Sequence, residues 1–75
     1  MTNPNFKYLF EGISSDVVSY LVERDSMSIQ EALKTFYLSD TFEKLSDPET
    51  NLYIESPAYI YSMLWSELRS GRLTQ

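Results

Sequence analysis

The residues of this chain that could do chemistry are carboxylates, hydroxyls and aromatic rings. Asp40 and Glu43 stand three apart, a spacing that puts both on one side of a helix, where two acids could work as general acid and base. Asp40, however, sits where a helix cap is wanted and Glu43 where solvent is expected, and no carboxylate pair falls inside an apolar stretch. Asp47, Glu49 and Asn51 alternate like the first ligands of a calcium loop. Pro48 interrupts them, and Leu52 and Ala58 occupy the places where that loop needs glycine and glutamate, so the segment reads as an ordinary turn. Gly12 and Gly71 are isolated, which excludes a glycine-rich phosphate cradle. There is no cysteine and no histidine. Disulfides, thiolate metal sites, thiol nucleophiles and the commonest general base are thereby removed together. The expectation is a protein that is not an enzyme, with no catalytic residue, no metal, no cofactor and no small-molecule substrate.

What remains is surface. Of 75 residues, 15% are aromatic, a high share for a small domain, and six of them are tyrosines. Tyr53, Tyr59, Met63 and Trp65 are of the types enriched at interface hot spots, and these four are the predicted partner-binding residues. A second copy of the chain could cover them in a two-fold dimer. A different protein could do so too, and an acidic rim would steer a basic one. Eleven acidic against six basic residues give a net charge of −5, which repels phosphate backbones. A helix-turn-helix over Ser28 to Leu45 can be drawn, but Lys44 is its only basic side chain in the reading helix, between Asp40, Glu43 and Asp47. Direct nucleic-acid binding is therefore not expected.

The elements that must carry these residues read as helices. Ser56 to Gly71 holds its own signals: Ser56 as cap, Pro57 at the first helical position, Gly71 to close the end, and Arg69 and Arg72 near the negative pole. Its core stripe is predicted as Ile60, Tyr61, Leu64 and Leu68. At the other end, Asn3 and Pro4 can start a helix in which Phe6, Leu9, Phe10, Ile13, Val17, Tyr20 and Leu21 keep helical spacing. Gly12, Ser14 and Ser15 weaken its middle, leaving open a kink, or a short strand over Phe6, Tyr8 and Phe10 before a later helix. Ser28 and Glu31 have capping-box spacing, with Met27 placed to staple onto Ala32. The helix they begin shows the apolar face Ile29, Ala32, Leu33, Phe36 and Tyr37, and either Ser39 or Asp40 can cap a further turn that points Phe42 and Leu45 inward. Asp47 with Pro48 favours a tight turn, and Asn51 tolerates positive φ. Leu52 to Ile54 is expected to run extended, with Leu52 and Ile54 closing one end of the core.

The predicted fold is one all-α domain over 1–75: a compact bundle of three main helices and a short one, about 4–24, 28–39, 40–46 and 56–70, with a structured 47–55 loop. The helix at Ser28 is expected to lie across the first and last. No stretch approaches the ~20 apolar residues of a membrane span. The opening MTNPNFKYLF lacks the pattern of a secretory signal, so a cytoplasmic location is expected.

The runs YLFEGISSDVVSYLVE, MSIQEALKTFYLSDTF and LSDPETNLYIESPAYIYSMLWSEL together resemble a group of small acidic bacterial proteins to which no activity is assigned. In these a D-P-x-T-(G/N)-L-Y turn precedes an S-P-x-Y-(I/V)-Y helix. The likeness covers most of the chain, and the motif specifies a turn and a cap. The family's relatives lie in gene clusters resembling toxin and antitoxin systems. This implies an antitoxin-like or accessory subunit that works by binding protein; the alternative is a DNA-linked regulator subunit acting through a basic partner.

Overall fold

The computed structural model describes residues 3–70. They form four helices, α1 (Phe6–Arg24), α2 (Ile29–Tyr37), α3 (Asp40–Leu45) and α4 (Pro57–Ser70), with 3-10 turns at Pro48–Thr50 and Leu52–Ile54 and no strand among the described residues. The predicted bundle is thus the observed one. Gly71, Arg72 and the rest of the tail lie outside the described residues.

α1 is the hub, with α2 and α4 both packed against it, while α3 joins α2 to α4. The Ser28 helix therefore lies on α1 and α3 rather than across α1 and α4. Ile13, Val17 and Leu21 of α1 meet Ala32 and Phe36 of α2, Leu45 of α3, Tyr53, and Ile60 and Leu64 of α4 in a single buried cluster. Each large aliphatic side chain of this kind contributes about 1.5–3 kcal/mol by leaving water. Measured over Cα atoms the molecule is 37 × 27 × 17 Å. The short dimension is about that of two helix layers at their usual spacing of 8–10 Å, so each helix has one side with nothing packed on it.

α1 runs unbroken through Gly12, so neither a strand nor a break interrupts it. Its start is later than the Asn3–Pro4 pair implies. Pro4 and Asn5 form a turn in which the Asn5 N–H donates to the Asn3 side-chain oxygen at 2.8 Å, and the helix begins at Phe6. Ser14 sits in mid-helix by donating its hydroxyl to the Phe10 carbonyl at 2.8 Å, the back-bonding that lets a serine remain there. At the other end Ser26 adopts a left-handed φ of 57°, and the Met27 N–H returns to the Leu21 carbonyl at 3.2 Å.

α2 and α3 are separate helices, and the break is set by a cap. Ser39 accepts from the Phe42 N–H at 3.0 Å, while Asp40 is the first helical residue and caps nothing. At α2 the Ser28 hydroxyl accepts from the Glu31 N–H at 3.1 Å, the serine half of a capping box. Ser56 does the same for Tyr59 at 3.2 Å, with Pro57 first in α4. In the connecting loop Asp47 accepts from the Glu49 N–H at 3.0 Å and Asn51 takes a φ of 59°.

Two segments depart from expectation. Leu52 to Ile54 is a 3-10 turn, not extended, and the tighter rotation reverses which side chain goes in. Tyr53 is buried, Leu52 is half-buried, and Ile54 is 61% exposed. On α4 the buried line is Ile60, Leu64 and Glu67, with Tyr61 half-buried and Leu68 exposed. At about 100° per residue, i+7 returns to within about 20° of the starting direction, whereas i+8 lies about 80° round. The geometric continuation of the Ile60 line is the glutamate, and the leucine lies beside it.

The glutamate is retained because it is fully bonded. Its carboxylate accepts from the Asp40 N–H at 2.8 Å, the Thr41 N–H at 2.9 Å and the Thr41 hydroxyl at 2.8 Å. It satisfies free N–H groups at the start of α3 from a helix 26 residues further along the chain, with favourable charge for that helix end. Hydrogen bonds to a charged group contribute about 1.5–3 kcal/mol each, and orphaning a buried donor carries a similar penalty. Glu67→Ala is expected to lower unfolding free energy by about 3 kcal/mol or more in chemical denaturation, and Glu67→Gln, which keeps one acceptor oxygen, by roughly half as much. Equal, sub-kilocalorie losses for both would show that the clamp is dispensable.

Candidate interaction surface

The four residues predicted to meet a partner do not share a face. Tyr53 is 7% exposed and packs edge-on against Phe6 with ring centroids 5.0 Å apart, so it is a core residue. Met63 is half-buried against the core. Trp65 is half-buried too, and its indole N–H donates to the Asp25 carboxylate at 3.1 Å. Tyr59 is 49% exposed and is the one of the four with a substantial free surface. Tyr59 and Met63 are four apart and neighbours on α4. Trp65, six residues from Tyr59, is turned about 120° away.

Trp65 belongs to a cluster that ties the end of α1 to α4. The Tyr61 hydroxyl donates to the same Asp25 oxygen at 2.9 Å. The Tyr61 ring meets Tyr20 edge-on at 5.1 Å, and the Arg24 guanidinium lies 4.7 Å from the Tyr20 ring centre and 5.6 Å from that of Tyr61. Cations over aromatic faces at this range are attracted by the ring quadrupole. The left-handed Ser26 ends α1 directly after Asp25. The cluster is an internal clasp, with its polar atoms turned toward one another.

The acidic groups at these places are bonded within the molecule. Both Glu67 oxygens are engaged by backbone and hydroxyl donors, and Asp25 receives two aromatic donors. Among the described residues every buried side-chain nitrogen and oxygen has a hydrogen-bond partner. No three or more of their acidic side chains are grouped to hold a metal ion. None of their helices is long and apolar enough to cross a membrane.

Apolar surface instead lies open in two other places, neither of them apparent from spacing alone. The first is α2. Its predicted apolar face splits lengthwise: Ala32 and Phe36 are buried, whereas Ile29, Leu33 and Tyr37 are 63%, 36% and 47% exposed, and Leu38 just beyond is 76% exposed. The exposed line follows i, i+4, i+8 spacing and borders a groove of about 580 Å³ floored by Phe10, Val18 and Phe42 and edged by Ser14, Ser15 and Ser19. The second is a cleft of about 600 Å³ between α1, the second 3-10 turn and the start of α4. Tyr8, 78% exposed, and Ile54 stand at its mouth, and Glu11, Asp16 and Glu55 are its charged lining residues.

Compared with protein-family models, with curated proteins and with solved structures, the chain matches none.

The clasp has a consequence at alkaline pH. Burial, followed by the bond to the Asp25 carboxylate, raises the Tyr61 pKa above its ordinary value of about 10. The neutral phenol is the form that the fold favours. Its contribution to stability is therefore complete below about pH 10 and is lost as pH climbs through the raised folded-state value. In denaturation measured across that range, Tyr61→Phe is expected to be less stable than the parent at neutral pH and to converge on it as alkalinity rises. A constant gap between the two would exclude the coupling.

Proposed function

We propose that this chain is a protein-interaction module that works by docking, with the outer side of α2 buried in the complex. The observation that carries this reading is the set of Ile29, Leu33, Tyr37 and Leu38, open to solvent on and just beyond a nine-residue helix, beside the buried line of Ala32 and Phe36. Contiguous apolar surface of this kind on a small domain marks a site for another macromolecule. Tyr59 offers a smaller contact on α4. The engagement of the buried Glu67 and of Asp25 in internal bonds, and the lack of cysteine and histidine, favour binding over catalysis.

The likeness to small acidic proteins from toxin–antitoxin-like clusters adds a role to this reading, that of an accessory or antitoxin-like subunit in the cytoplasm. A DNA-linked role would have to pass through a basic partner. α3 is only six residues long, carries one lysine among acids, and has its first N–H groups taken by Glu67.

A photo-crosslinking residue placed at Ile29 or Leu38 in the producing cell tests the reading. One or two discrete adducts are expected, and an adduct of twice the chain mass identifies a second copy as the partner. The same group at Glu23, an exposed polar position on α1, should give none. Absence of discrete adducts from both α2 positions, in protein that is folded and expressed, would refute the proposal.

A further inference from the structure

Gly12 has no structural reason to be a glycine. It lies inside α1, where glycine is disfavoured by about 1 kcal/mol relative to alanine. A helix keeps such a residue when its φ is out of reach of other residues or when a neighbour crowds the Cβ. Neither holds here: Ser26 and Asn51 are the non-glycine positions with positive φ, Gly12 is in regular helix, and a Cβ built on it meets no heavy atom within 4 Å. The space above it is the cleft. A side chain at this position would stand in the opening between α1 and the turn at Ile54.

We propose that the cleft over Gly12 is a docking site for a basic segment of another protein. One bulky apolar side chain of that segment seats above the Gly12 backbone, and flanking lysines or arginines meet Glu11, Asp16 and Glu55. The apolar part of the recognition comes from Tyr8, Leu9 and Ile54 around the opening, and the size of the cleft, about 600 Å³, lies within the range of sites that bury a compact ligand. The charge comes from a lining that carries three exposed carboxylates and no basic residue. Such a rim attracts cationic groups and raises their rate of encounter. It also disfavours a second copy as the occupant, because a chain of net charge −5 brings more acid than base to an acidic rim. The proposal rests on the chain being an interaction module but uses a surface separate from the outer side of α2.

The test uses the full chain, isotopically labelled, with three short synthetic peptides as probes: one with a leucine–tryptophan anchor between lysines and arginines, one with serines in place of the anchor, and one with glutamates in place of the basic residues. Only the first is expected to shift the Gly12 and Ile13 amide resonances. Gly12→Leu, which fills the opening, and the double change Glu11→Gln with Glu55→Gln should each weaken its binding by about tenfold or more. Ile29→Glu on α2 should leave it unchanged. Gly12→Ala should raise Tm by roughly 4–8 °C, since the helix gains and nothing is crowded. The proposal is overturned if the serine peptide binds as well as the anchored one, which would mean diffuse charge attraction alone. It is equally overturned by shifts confined to other parts of the chain, by full affinity in the cleft variants, or by Gly12 and Ile13 resonances that shift with the concentration of the chain alone, which would put a second copy in the cleft. Should Gly12→Leu fail to fold, the carboxylate double variant decides. Failure here with crosslinking at α2 intact removes the cleft and leaves the docking function; the reverse outcome separates them the other way.

Discussion

The arrangement of the second half of the chain depends on one carboxylate. α3 has six residues, too few to be stable on propensity, because a helix must fix several residues before its first hydrogen bond repays them. It persists because Ser39 holds one side of its first turn and Glu67 holds the other, and because Phe42 and Leu45 pack inward. The same contact fixes the rotation of α4 about its own axis, since the side chain that reaches Thr41 must continue the line of Ile60 and Leu64. Once α4 is so turned, Leu68 faces outward and Tyr61 and Trp65 are aligned with Asp25. Clamp and clasp thus restrain α4 at separate places, one through α3 and one through α1.

This also accounts for where apolar surface is hidden and where it is not. α4 is restrained by polar bonds on two sides, and its aromatic residues are largely consumed in making them. α2 has no such restraint on its outer side. It rests on α1 along Ala32 and Phe36, and in a body two helix layers thick nothing remains to cover Ile29, Leu33 and Tyr37. The surplus of large apolar residues in the composition is real, and more of it is exposed at α2 than on the helix that carries the tryptophan.

Much of the fold was legible from local chemistry. Ser28, Ser56 and Pro57 act as caps and first-turn residues because capping depends only on residues within one turn, and Asn51 takes the left-handed conformation for the same kind of reason. On α1 the buried Ile13, Val17 and Leu21 follow from periodicity, whereas on α2 only Ala32 and Phe36 of the five-residue apolar face are buried. What could not be read was set by contacts distant in sequence. Burial of Glu67 needs the start of α3, and the fate of Trp65 needs Asp25, 40 residues away. At Tyr53 a change from extended backbone to a 3-10 turn moved the inward side chain by one residue. The four residues predicted as an interface do not share a face for that reason: Tyr53 and Met63 pack on the core and Trp65 bonds to Asp25. Gly12 was noted as a weak point of a helix; that its missing side chain leaves a cleft open could be seen only with Ile54 and Glu55 in place.

Glu11 stands at the border of both openings, edging the groove beside α2 on one side of α1 and the cleft over Gly12 on the other. A cation that pairs with this carboxylate from one side neutralises it for the other. Two ligands competing for a single charge are thermodynamically linked, and the factor by which the first weakens the second equals the factor by which the second weakens the first. Were each opening to take a ligand that carries such a cation, that one residue would link the two broad sides of the molecule without any change in shape.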